Sequence, residues 1–95
     1  MKIVGLLILT KFATMHVDVK KQLDIWIVEV KKTNWNSPHD IKLRYSSADF
    51  FKFNYVVINL KGNKYRLLFQ VNYKLKILLV KDIGTHAQYN KWILS

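Results

Sequence analysis

Three side chains in this sequence have the chemistry to act on a phosphodiester: Arg66, His86 and Tyr89. A guanidinium makes planar, bidentate contacts to phosphate oxygens and stabilises charge that grows on them. An imidazole titrates near neutrality and serves as acid or base. A phenol can donate a proton or stack on a base. Arg66 and His86 sit in two compact blocks, Asn59-Leu-Lys-Gly-Asn-Lys-Tyr-Arg66 and Gly84-Thr-His-Ala-Gln-Tyr-Asn-Lys91. Metal-independent RNA cleavage uses the 2′-hydroxyl as an internal nucleophile. It therefore needs only a base for that hydroxyl, an acid for the 5′-oxygen and cations around the phosphorane. In that scheme Asn59 positions, while Lys64, Gln70 and Lys91 hold RNA.

Each residue also has a structural reading. A histidine after a strand is often structural, Arg66 can simply face Asn59 across a hairpin, and Tyr89 can pack on a sheet. Solvated lysine is the default for Lys64 and Lys91. His16, between helices, and His39, in a capping turn, read as structural.

Composition narrows the chemistry. The six acids are scattered as Asp18, Asp24, Glu29, Asp40, Asp49 and Asp82, with no carboxylate cluster for Mg²⁺, so no metal or other cofactor is expected. No Gly-rich phosphate loop or hydrolase elbow appears. Sixteen Lys and Arg give a net charge of +10, a field that draws polyanions: nucleic acid, an anionic membrane surface or an acidic protein. Only two of the sixteen are Arg, Arg44 and Arg66. There is no Cys, which fits a reducing compartment such as the cytoplasm. The apolar start, Met1 to Thr10, resembles the head of a signal peptide. Lys11 interrupts it, no cleavage site follows, and it is too short to span a bilayer. We read it as core, with no membrane association.

These groups need a scaffold. With 95 residues, 51% of them hydrophobic, the chain makes one domain, residues 1–95, with a core that needs no crosslinks. Lys2 to Val4 reads as a strand. Leu6 to Met15 suits a buried helix, with a continuous strand through Leu9 as the competing reading. A second helix carries Val19, Leu23, Trp26, Ile27 and Val30 at helical spacing, with Asp18 as its N-cap and Lys31 and Lys32 in its last turn. Ser37-Pro38 starts a short third helix to about Arg44. Ser46 to Asp49 reads as a turn before the cluster Phe50, Phe51 and Phe53. Strands follow at 55–60, 65–73 and 76–83, then a helical turn or two from Thr85 to about Trp92. The expected class is α+β, with helices on one face of a mainly antiparallel sheet.

The hairpin fixes a register. A two-residue turn at Gly62-Asn63, or a four-residue loop from Lys61 to Lys64, places Asn59 opposite Arg66. Alternation then puts Val56, Ile58, Leu60, Tyr65, Leu67, Phe69 and Val71 on the core side. Tyr55, Asn59, Arg66, Gln70, Asn72 and Lys74 fall on the other side, with Val57 and Leu68 among them.

The two blocks that hold Arg66 and His86 resemble the HigB toxins of bacterial type II toxin–antitoxin systems. Trp26-x-x-x-Val-Lys-Lys32, Trp35-Asn-Ser-Pro38 and Ser47-Ala-Asp-Phe50 support the likeness, which runs in order over nearly the whole chain. The resemblance implies a RelE/ParE-like fold and an endoribonuclease that cleaves mRNA, commonly on the ribosome. It also implies a HigA-like helix-turn-helix antitoxin bound in a hetero-oligomer. Two positions depart from the pattern: the toxins usually carry an acid where this chain has Gln88, and Asp where it has Asn90. If either acid orients a catalytic group, this chain is a weakened or inactive homologue. Leu6 and Leu7 are also more apolar than usual there. A basic module that grips RNA or the ribosome without cutting, or one whose charge serves only to meet an acidic antitoxin, are the competing functions.

Overall fold

The computed structural model describes residues 1–89. Strand β1 (Lys2–Val4) leads into helix α1 (Leu6–Met15), a 3₁₀ turn (Val17–Val19) and helix α2 (Lys20–Lys32). Helix α3 (Pro38–Arg44) precedes strand β2 (Asp49–Phe51), a second 3₁₀ turn (Lys52–Asn54) and the strands β3 (Tyr55–Leu60), β4 (Tyr65–Asn72) and β5 (Ile77–Thr85). A short helix α4 (His86–Tyr89) ends the described chain. The five strands form one sheet in the order β1-β5-β4-β3-β2, antiparallel except for the β1–β5 pair. The α+β class and the mainly antiparallel sheet are as expected. No helix among the described residues is long and apolar enough to cross a membrane.

The core lies between α1, α2 and one sheet face. Leu9 and Ala13 of α1 and Leu23, Trp26 and Val30 of α2 pack with Ile58, Leu60, Leu67, Phe69 and Leu78. The Trp26 and Phe69 rings lie 5.7 Å apart, so Trp26 is a core residue. All seven hairpin residues assigned to the core side belong to this cluster. Gly5 lets α1 start hard against β5. Its φ of 93° is left-handed, and a Cβ there would sit 2.9 Å from the Val80 carbonyl oxygen.

The structure corrects two expectations, the cap of α2 and the segment at 49–51. Asp18 does not cap α2. It lies inside the 3₁₀ turn, where Lys64 Nζ (2.7 Å) and Tyr65 Oη (2.8 Å) donate to its carboxylate. Ser37 stands at the N-cap of α3 with Pro38 in the first turn, as expected, although its side chain makes no cap hydrogen bond, and Asp40 accepts from the Asn36 N–H at 2.8 Å. Residues 49–51 add an edge strand, β2, where a turn and an apolar cluster were expected. The hairpin uses the four-residue loop, with Lys61 and Gly62 both left-handed, and the predicted register holds: Asn59 faces Arg66 and Leu60 faces Tyr65.

Strand β5 also differs in detail. It runs to Thr85 and carries a bulge opposite Leu68 and Phe69, with Asp82 and Val80 as their partners and Lys81 as the extra residue.

Candidate active site

The β4–β5 register builds the site. Arg66 lies between Asn59 on β3 and Gly84 on β5, all in one row across the sheet face away from the core. Tyr65 faces Thr85, so the chain leaves the sheet beside the hairpin loop and turns at once into α4. Two contacts seat that helix. The His86 N–H donates to the Lys64 carbonyl at 3.2 Å. Thr85 and Gln88 form a reciprocal capping box, in which the Thr85 N–H donates to Gln88 Oε1 (2.8 Å) and the Gln88 N–H to Thr85 Oγ1 (3.3 Å). Gly84 leaves the space for this. A Cβ there would lie 2.5 Å from Gln88 Oε1 and 3.1 Å from Gln88 Cβ.

Helix α4 brings Tyr89 over the sheet, its ring 5.3 Å from the guanidinium carbon of Arg66. The Tyr89 hydroxyl reaches Asp49 Oδ2 on β2 at 3.4 Å. His86 is exposed, its ring 6.4 Å from that of Tyr89. Tyr89 is therefore near both the guanidinium of Arg66 and the imidazole of His86. Burial, then the charge and hydrogen bond of Asp49, push the Tyr89 hydroxyl above its ordinary pKa, so it stays protonated at neutral pH.

Arg66 itself is only 8% exposed, the one buried charged residue among the described residues. Its Nη1 donates to the Asn63 carbonyl at 3.2 Å. Among the described residues no carboxylate lies within ion-pair distance of it. A mostly desolvated cation without a counter-ion is costly, and an anion entering beside it removes that cost.

The remaining expected residues divide. Asn59 Nδ2 bonds Ser47 Oγ (3.3 Å) and Asn63 Oδ1 (3.2 Å), which shapes the loop under Arg66. Lys64 turns its ammonium away to Asp18, and its carbonyl, not its charge, serves α4. Gln70 lies further along β4 and donates to the Phe53 carbonyl at 2.9 Å. Lys91, like Asn90, lies outside the described residues. Asp49 was missed as a member of the site, because its tie to Tyr89 spans 40 residues and leaves no local pattern. The non-core face is also less solvated than alternation implied: Val57 and Leu68 are buried there, on a row flanked by Asp49 and Asp82.

No three His, Cys, Asp or Glu side chains cluster as a metal site among the described residues.

Residues 19–92 match the family model of the HigB toxin, described as the RelE-like toxic component of a toxin–antitoxin system. The chain is also similar to a protein of Escherichia coli O6:H1 named mRNA interferase HigB. The two are 30% identical over 64 residues, covering 65% of this chain and 62% of that protein.

Proposed function

Because the chain belongs to the HigB family of RelE-like toxins, we propose that it is an endoribonuclease that cleaves mRNA during translation and arrests growth until an antitoxin binds it. The observation that carries this reading is Arg66: a buried guanidinium with no carboxylate partner among the described residues, at the floor of a site flanked by Tyr89 and His86. The activity in the name of the E. coli relative supports it.

In the proposed reaction Arg66 binds the scissile phosphate and stabilises the charge on its non-bridging oxygens. A base removes the 2′-hydroxyl proton, the 2′-oxygen attacks phosphorus, and the bond to the 5′-oxygen breaks as an acid protonates it. The products are a 2′,3′-cyclic phosphate and a free 5′-hydroxyl, with no metal required. His86, exposed beside the site, can take either proton-transfer role, and Tyr89, held protonated, suits the acid. Asn59 keeps the loop under Arg66 in place, and Gln70 and Lys91 contact flanking RNA. The antitoxin is of the HigA helix-turn-helix type, in a hetero-oligomer, and the setting is the bacterial cytoplasm.

The Tyr89 ring over Arg66 favours a second reading, in which the face grips RNA or the ribosome without cutting. Inducing the chain alone separates the two. Arrest with the native sequence and none with Arg66→Ala/His86→Ala supports cleavage, and equal arrest by both supports binding. Primer extension on cellular mRNA then finds the cuts, and repeating it with translation blocked shows whether they need the ribosome.

A further inference from the structure

The same sheet face carries a second concavity at the far end of β4. It encloses about 520 Å³ and is lined by Phe53, Asn54, Gln70, Asn72, Lys74 and Leu79 among others, with no acidic side chain. Phe53 is 77% exposed. Its backbone is left-handed (φ 62°, ψ 28°), and so is that of Asn54 (φ 63°). A bulky side chain rarely adopts this conformation, and such strain clusters where a ring is held for use. Gln70 holds it by donating to the Phe53 carbonyl. The result is an aromatic ring kept out of the core, at the rim of a cationic hollow.

We propose that this hollow is a subsite for an unpaired base of single-stranded RNA, stacked on Phe53, with Lys74 on an adjacent phosphate. The inference rests on the ribonuclease reading and extends it along the strand. From Arg66 to Asn72 the face runs about 20 Å at ~3.3 Å per residue, the reach of a few unpaired nucleotides. Between the two ends lie the buried Val57 and Leu68, bordered by Asp49 and Asp82. That floor suits bases and repels phosphates. The β5 bulge then places Lys81 on this face, its Nζ 5.8 Å from the Tyr55 ring beside Gln70. Cations thus return where the hollow begins. Charge and an exposed ring together are the pattern of a sequence-tolerant single-strand site.

The test measures binding of a labelled single-stranded 2′-O-methyl oligonucleotide, which lacks the nucleophile and is not cut, to the full chain. Phe53→Ala is expected to weaken binding roughly tenfold and Phe53→Trp to restore it. Lys74→Gln is expected to lower the slope of log K against log salt by about 0.7, as one lost phosphate contact does. Phe53→Ala and Lys74→Gln variants that bind like the control Lys21→Gln, on the exposed side of α2, would overturn the proposal. So would a Phe53→Ala variant that loses the antitoxin but keeps the oligonucleotide, which would make the hollow a protein contact. If Arg66→Ala still cleaves natural RNA while the Phe53 effect stands, the catalytic assignment fails and the subsite survives. If the native chain neither binds nor cleaves, both fall.

Discussion

Gln88 stands where the resemblance leads one to expect an acid, and its surroundings explain what it does. Its side-chain oxygen accepts from the Thr85 N–H and its own N–H donates to Thr85 Oγ1. A capping box takes Glu or Gln equally at this position, so the loss of an acid here leaves the seat of α4 intact. Gln88→Glu is therefore expected to cleave at close to the native rate. Gln88→Ala removes the cap at a cost of about 1 kcal/mol, and Gly84→Ala drives a methyl into the same side chain. Both should lower the cleavage rate several-fold, while the melting temperature falls by no more than the roughly 4–8 °C that about 1 kcal/mol is worth in a chain of this size. Single-turnover cleavage and a thermal melt on the same samples check this. A large loss of activity in Gln88→Glu would mean that this side chain does more than cap.

At the scale of elements, the hairpin and its register were legible because they depend on local signals. A Gly-Asn turn between two alternating runs sets one register, and an antiparallel return of the next strand leads back past it. The parts that were hidden depend on long-range partners. Strand β2 has three residues, too few to show alternation, and exists because β3 offers it an edge. Asp18 resembles a cap in sequence, but the side chains of Lys64 and Tyr65 compete for it from 46 and 47 residues away. The contact of Arg66 with the Tyr89 ring is one that no strand pattern can foresee. Glu29 makes the same point for the α2–α3 junction, where Arg44 (2.7 Å) and the Tyr45 hydroxyl (2.8 Å) converge on it. Burial alone would raise the Glu29 pKa, but these two hydrogen bonds outweigh it and hold the carboxyl below its ordinary 4.5. Its stabilisation is therefore complete above that pH and is lost as pH falls through the lower folded value. Asp18, lowered chiefly by its bond from Lys64, loses its pairing on the same acid side. Glu29→Gln is expected to cost about 1 kcal/mol at pH 7, or roughly 4–8 °C for a chain of this size. The difference from the native protein should shrink as pH falls towards 3. A gap that widens in acid would contradict the assignment.

Across the whole molecule, charge and shape make different demands on a ligand. Each of the six acids is engaged within the chain: Asp18, Asp24 and Glu29 in ion pairs, Asp40 and Asp82 on backbone N–H groups, Asp49 on Tyr89. Among the described residues three cations are paired with them and Arg66 is buried, while the other lysines, apart from the half-buried Lys76, are exposed and leave an unbalanced field. Such a field binds any polyanion, and it binds a duplex at least as well as a single strand, because the duplex carries more charge per length. The sheet face adds what the field lacks: a buried guanidinium, an apolar floor at Val57 and Leu68, and a free aromatic ring at Phe53. Only unpaired bases can use the last two. Single-stranded RNA is therefore expected to bind several-fold more tightly than a duplex of the same phosphate number. Raising salt should weaken the duplex faster, since its slope is about 0.9 per phosphate contacted against about 0.7 for a single strand. Competition titrations at low and high salt measure both effects. Equal or tighter duplex binding would reduce the face to its charge, and with it the reason for Phe53 to stand in solvent.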